Sequence, residues 1–119
     1  MIMKLDKDYD VRCNLGTIRD IENIFGKPFF TLASQLDKLT TLEQIKLLYT
    51  GVKRADSTIR EEEFVDACEN NMGIGDLSEY IEQFLLQLQY PGLSKEEVQQ
   101  KIEKKLRQAE NLKVSIGAN

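Results

Sequence analysis

The chain contains no histidine and no tryptophan. Histidine is the side chain that changes charge near neutral pH and the commonest metal ligand, so its absence removes the usual general base and the usual nitrogen donor of metal sites. Proline occurs twice and glycine seven times in 119 residues, too few for long irregular stretches. Cys13 and Cys68 stand in no paired-cysteine motif. They read as separate buried thiols of a reduced compartment, not as a bridge or a redox couple. No apolar run approaches the ~18 residues of a membrane span, and no signal-peptide core is seen. The expected location is the cytoplasm, with no membrane partner.

What is present suits one helical domain over 1–119. A globule of this length hides roughly two-thirds of the surface of its unfolded chain, enough for a core without metal or disulfide support. The hydrophobic fraction is 41% and the charged fraction 30%, ordinary for a folded protein. The net charge is −4. Nucleic-acid binders usually carry a basic excess, because neutralising phosphates drives their affinity. No nucleic-acid partner is therefore expected.

The first thirteen residues read as strand. Ile2 and Lys4, then Tyr9, Val11 and Cys13, alternate around the polar turn Asp6-Lys7-Asp8, which fits a short hairpin. From Asn14 the period becomes helical. Leu15, Ile18, Ile21, Ile24 and Phe25 share a face, and Gly26 caps the end. Pro28 opens a second helix that buries Phe29, Leu32 and Leu36.

Four further helices are signalled by a side-chain acceptor with an acid three residues later: Thr40/Glu43, Thr58/Glu61, Asp76/Glu79 and Ser94/Glu97. In such a box the first side chain accepts an N–H of the first turn while Glu returns to the cap N–H. The expected spans are about 41–53, 59–72, 77–90 and 95–113, making a mainly α, compact bundle of about six helices. The caps recur every 18 residues, but the residues between them share nothing beyond apolar period, so no repeat is inferred.

The expected inward faces are Leu42, Ile45, Leu48, Tyr49 and Val52; then Phe64, Val65, Cys68 and Met72; then Leu77, Tyr80, Ile81, Phe84, Leu85 and Leu88. The last set is the most hydrophobic and is expected to be central. In the amphipathic C-terminal helix, Val98, Ile102, Leu106, Ala109 and Leu112 fall in a stripe ~120° wide, interrupted by Lys105. Either its own domain or another chain can cover that stripe. The tail 114–119 has no period and is expected to be flexible.

Candidate sites for chemistry fail on their own requirements. Asp6, Asp8 and Asp10 have the opening spacing of a calcium loop, but Val11 and Thr17 replace its required Gly and bidentate Glu. Glu61-Glu62-Glu63 opens a helix and points in three directions, so it is no acid pair. Gly51 followed by Ser57-Thr58 resembles a helix-turn-helix, but the turn is about two residues too long and the second helix offers glutamates to phosphates. No phosphate loop, nucleophile elbow or metal cluster appears. No catalytic, cofactor or metal residue is expected, and the chain is read as no enzyme.

One stretch narrows the reading. Tyr9-Asp10-Val11-Arg12-Cys13-Asn14-Leu15-Gly16-Thr17-Ile18-Arg19-Asp20-Ile21-Glu22 runs into Asn23-Ile24-Phe25-Gly26-Lys27-Pro28-Phe29. A short strand, then Asn-x-x-x-Ile-x-x-x-Glu, then aromatic-Gly-Lys, resembles the opening of tail assembly chaperones of long-tailed (siphovirus-type) bacteriophages. Leu47-Leu48-Tyr49-Thr50-Gly51 and Thr58-Ile59-Arg60-Glu61-Glu62 resemble two later features of that family. The likeness covers roughly 4–90.

It implies a small acidic chaperone that coats the tape measure protein before the tail tube polymerises. It also implies self-association, a longer form made by frameshifting, a place in the cytoplasm of the bacterial host, and absence from the mature virion. Val98, Ile102, Leu106 and Ala109, with Tyr90, are the candidate partner-binding residues. Tyr80 and Phe84 border the same region but suit core packing better. Two other readings stay open: a helical adaptor or regulator that binds a folded partner, and a DNA-binding regulator, the latter opposed by the charge.

Overall fold

Two short strands, β1 (Ile2–Lys4) and β2 (Asp8–Asp10), open the chain in the computed structural model, which describes residues 1–94 together with Glu96, Glu97, Gln99, Gln100, Glu103 and Lys104. They pair antiparallel, with Ile2 opposite Asp10, Met3 opposite Tyr9 and Lys4 opposite Asp8. Met3, Tyr9 and Val11 point inward and are fully buried, whereas Ile2 is 56% exposed. The expected hairpin forms, and its inward face is that of Met3 and Tyr9. A two-residue period gives two faces but not their direction, and here the pairing with Tyr9 decides it.

Five α-helices follow among the described residues: α1 (Leu15–Phe25), α2 (Phe29–Ser34), α3 (Thr41–Ala55), α4 (Glu61–Asn71) and α5 (Ile74–Gln89). A 3₁₀ turn, Leu36–Lys38, joins α2 to α3 and takes the place of the last turn expected of α2. The expected sixth helix, with its stripe and the tail 114–119, lies largely outside the described residues. Glu96, Glu97, Gln99, Gln100, Glu103 and Lys104 are helical.

The helix ends show which sequence signals act. Asn14 accepts from the Thr17 N–H at 3.0 Å and starts α1; Gly26, at φ 67°, ends it in the left-handed region that glycine adopts without strain. Thr40 and Glu43 form the full reciprocal box of α3. The Thr40 backbone N–H, and then its hydroxyl, hold the Glu43 carboxyl below its ordinary pKa. Ser94 accepts from the Glu97 N–H at 3.1 Å, as the fourth cap requires.

The other two pairs behave differently. Thr58 donates both its N–H and its hydroxyl to Asp56, closing a turn, and α4 begins only at Glu61. Helix α5 begins three residues earlier than expected. Asp76 is therefore an inner first-turn residue whose carboxylate accepts from the Gly73 N–H at 3.0 Å. Gly73 has no side chain with which to complete the box.

Helix α3, not α5, is central. It packs against α1, α4, α5 and β2. Leu47, Thr50 and Gly51 lie off its expected stripe and are buried with Ile45, Leu48 and Val52. Leu42, expected inside, is 47% exposed in the first turn. At Gly51 the chain leaving β2 lies directly on the helix: the Arg12 N–H donates to the Gly51 carbonyl at 3.0 Å. A Cβ at position 51 would stand 2.6 Å from Val11 Cγ1, 3.0 Å from the Arg12 carbonyl oxygen and 3.1 Å from the Phe84 ring.

Around α3, one core joins Met3, Tyr9 and Val11 to Ile21, Leu32, Phe64, Cys68, Leu77, Ile81, Phe84 and Leu88. Tyr9 meets Phe64 edge to face at 5.4 Å between centroids, and Tyr49 lies 5.9 Å from the same ring. The Tyr49 hydroxyl donates to the Ile59 carbonyl at 2.6 Å and fixes the α3–α4 loop. The Lys4 N–H donates to the Tyr80 hydroxyl at 3.3 Å, joining the hairpin to α5. An Arg54–Asp20 ion pair at 3.0 Å links α3 to α1, although the guanidinium N–H is not aligned as a hydrogen bond.

Candidate protein-binding surface

A binding surface is built from side chains that helices hold outward, so it begins with the apolar groups the core does not take up. Leu15 is 81% exposed, Phe30 74%, Ile74 67% and Ile24 65%. Leu15 and Ile24 were expected in the core face of α1. That helix seats the expected Ile21 together with Thr17, because the Thr17 hydroxyl donates to the Arg12 carbonyl at 2.7 Å and turns this side toward β2. Phe30 follows the buried Phe29, and the two rings meet edge to face at 5.5 Å. The Phe29 N–H donates to the Glu22 carboxylate at 3.0 Å, which fixes α2 against α1 and leaves Phe30 outward.

Two clefts carry apolar walls. The first, of about 450 Å³, runs between α2 with its 3₁₀ turn, α3 and α5, and its lining includes Ala33, Leu36, Ile81, Leu85 and Leu86. Asp37, Gln44, Ser78, Glu82 and Gln89 complete it with polar groups. The second, of about 350 Å³, lies between the start of α3, the end of α4 and the start of α5, against Ile45, Cys68, Met72, Ile74 and Leu77. A third, of about 620 Å³ between α1, α3 and the start of α4, combines Ile24 and Tyr49 with Lys46, Lys53 and Arg54 beside Asp20 and Glu61.

Of the sequence-expected partner residues, Tyr90 is described. It stands half-buried just past α5, its N–H donating to the Leu86 carbonyl at 2.9 Å. Val98, Ile102, Leu106 and Ala109 lie outside the described residues. Phe84 is fully buried, and Tyr80 is half-buried at the hairpin. Sequence reasoning missed Phe30 and Ile74; for Phe30 the available signal was an apolar residue directly beside a core residue, Phe29, in a first helical turn, whereas Ile74 stands between two glycines.

No group of three or more acidic, cysteine or histidine side chains able to hold a metal is found among the described residues. Asp8 and Asp10 share the outward face of β2, on the side opposite the buried Tyr9. Glu61 and Glu62 are exposed in the first turn of α4, an unfavourable face for phosphates. No described helix is long and apolar enough to cross a membrane.

The ionisable groups with the clearest shifts belong to the core. Burial pushes the Cys68 thiol up to about 12. Burial first, then the nearby Asp6 carboxylate, pushes the Tyr9 phenol up to about 12. The Tyr9 hydroxyl is buried without a hydrogen-bond partner among the described residues, with Asp6 outside bonding geometry. Both groups keep their protons in the native state where the unfolded chain releases them.

Stability from these groups is therefore complete below pH 9 and falls as pH rises through the interval from the ordinary values, 9.0 and 10.0, to about 12. A Tyr9→Phe, Cys68→Ala variant should lose less stability than the parent between pH 8 and pH 11, read as urea midpoints. Equal losses would remove these two groups as the cause.

The chain matches no protein-family model, no curated protein and no solved structure.

Proposed function

We propose that the chain is a non-catalytic chaperone of bacteriophage tail assembly, which binds the tape measure protein in the cytoplasm of the bacterial host before the tail tube polymerises and leaves before the virion is complete. The observation that carries the reading is the set of large apolar side chains held in solvent by rigid helices, Leu15, Ile24, Phe30 and Ile74, on an acidic body. Apolar side chains on fixed helices give a holdase a contact for apolar helical segments, and net charge keeps the complex soluble. The resemblance over 4–90 supplies the identity of the client. Val98, Ile102, Leu106 and Ala109, with Tyr90, form a second contact, used for self-association and toward a frameshifted longer form.

Co-expression with the tape measure protein tests the proposal. The client should become soluble in a complex with this chain, and Phe30→Asp should reduce the complex at least fivefold while leaving the helical signal unchanged. A client that stays equally insoluble with and without the chain ends the proposal. A very long coiled-coil-rich reading frame directly downstream, preceded by a frameshift signal, is the expected gene context.

A further inference from the structure

We propose that the cleft between α1, α3 and the start of α4 is the docking site for an acidic amphipathic helix of another protein, one with two carboxylates two turns apart and an apolar side chain between them. Three observations carry this occupant, and none depends on the tape measure protein being the client.

The first is charge. The chain is acidic, at −4, and four other clefts follow suit. The two apolar clefts carry Asp37 with Glu82, and Glu69, with no cation. A cleft between the hairpin turn and α4 sets Asp6, Glu62, Glu63 and Asp66 against Arg60, and one beside β1 sets Asp76 and Glu79 against Lys4. The α1–α3 cleft reverses the sign, with Lys46, Lys53 and Arg54 against Asp20 and Glu61. Asp20 is already engaged by Arg54 at 3.0 Å. Lys46 and Lys53 make no ion pair among the described residues. Glu43, the one acid of α3, accepts from the Thr40 N–H. Two uncompensated ammonium groups in one cleft draw anionic groups toward it.

The second is spacing. Lys46 and Lys53 stand seven residues apart on α3, within about 20° of one face and about 10.5 Å apart along the axis. Tyr49 and Thr50 line the cleft between them. A helix lying alongside repeats its side chains at the same interval. A glutamate at its position i and another at i+7 meet the two ammonium groups, and an apolar residue at i+3 or i+4 comes level with Tyr49.

The third is the facing wall. Ile24 lines the cleft from α1 and is 65% exposed. A small inorganic anion would engage the lysines and leave Ile24 in water. A nucleic-acid strand would carry its phosphates past Asp20 and Glu61. An acidic helix with an apolar middle covers Ile24 and Tyr49 and neutralises both lysines at once.

The test uses the full-length chain and a fluorescein-labelled, alanine-rich peptide of about sixteen residues, with Glu at i and i+7 and Leu at i+3 and i+4, read by anisotropy at low salt. The peptide should bind saturably. Changing both Glu to Gln, or both Leu to Ala, should weaken binding about fivefold or more, and raising salt should weaken it by screening. Lys46→Glu with Lys53→Glu should weaken it about tenfold or more. The equal charge change Lys4→Glu with Lys38→Glu, outside the cleft, should alter it less than about twofold. Circular dichroism separates lost binding from lost fold. Should the glutamate pair unfold the chain, Lys46→Gln with Lys53→Gln should still weaken binding about threefold or more. Absence of saturable binding, equal affinity for the Glu and Gln peptides, or equal effects of the two lysine pairs would each overturn the proposal. So would tighter binding of inorganic phosphate or of an oligothymidine than of the peptide, or dimers of the chain that vanish in Lys46→Glu with Lys53→Glu. Those results would give the cleft to a small anion, a nucleic acid or a second copy.

Discussion

Gly51→Val is expected to destabilise the protein by about 2–3 kcal/mol, the upper part of the range for forcing extra atoms into a packed core. The new side chain has no free direction. Its Cβ alone would press on Val11 Cγ1 at 2.6 Å, on the Arg12 carbonyl oxygen and on the Phe84 ring. Two of these neighbours are the backbone and side chain that follow β2, so relief requires the hairpin to lift from α3. The Arg12 N–H bond to the Gly51 carbonyl would then break as well.

Gly16→Ala is the control. The three atoms nearest its Cβ would all belong to the guanidinium of Arg54, the far end of a flexible side chain, from 2.5 Å. That arginine can swing away at the expense of a surface ion pair worth ~1 kcal/mol or less, against a gain of ~1 kcal/mol in helix propensity. Urea denaturation of the two variants should therefore give a large loss and a near-zero change. Equal effects would mean that the chain after β2 does not rest on α3.

Phe64→Ala is expected to be the most damaging single truncation, at about 3–5 kcal/mol. Phe64 is fully buried and receives Tyr9 edge to face from the hairpin and the tilted ring of Tyr49 from α3. It is the meeting point of three elements, β2, α3 and α4. A cavity there cannot collapse easily, because Tyr9 is fixed by strand pairing and Tyr49 by its bond to Ile59. Since total stabilities are commonly 5–15 kcal/mol, such a loss should unfold a substantial fraction at 37 °C. The comparison is Phe30→Ala: at 74% exposure it should change stability by less than about 1 kcal/mol. If Phe64→Ala cost no more than Phe30→Ala, the packing of the hairpin on α4 would be wrong.

These two variants also mark the limits of what patterning conveys. The change from a period of two to a period of 3.6 at Asn14 placed the hairpin and the first helix correctly. Gly26, Pro28 and the Thr40/Glu43 pair are local signals, satisfied by atoms within a few residues, and they act as read, while Asn14 adds a cap that the period alone did not name. Thr58 and Asp76 misled for the same local reason. Asp56 offered Thr58 a nearer acceptor, and Gly73 let the chain enter α5 a turn early, so the same residue types served other hydrogen bonds.

The candidate surface was less legible than the fold. Leu15, Ile24 and Leu42 have helical spacing that fits a buried face, yet all three are exposed. Periodicity reports how apolar groups are spaced, not whether a neighbour arrives to cover them. The centrality of α3 escaped for a related reason. Burial on more than one side is signalled by small or mildly polar residues such as Thr50 and Gly51, which hydrophobicity ranks low. A small side chain there is what allows the strand exit and α5 to approach.

By itself the sequence determined the class: a mainly helical chain, opened by a strand pair, with its turns and most of its caps in place and without the histidine that most active sites use. Local backbone bonding and apolar period suffice for that, because both act over four or five residues. Only the tertiary structure decided which helix lies at the centre, which face of β1 turns inward, and which apolar side chains remain in solvent. Those outcomes depend on contacts between residues far apart in the chain, such as Tyr9 with Phe64 and Arg12 with Gly51, whose energies no local window contains.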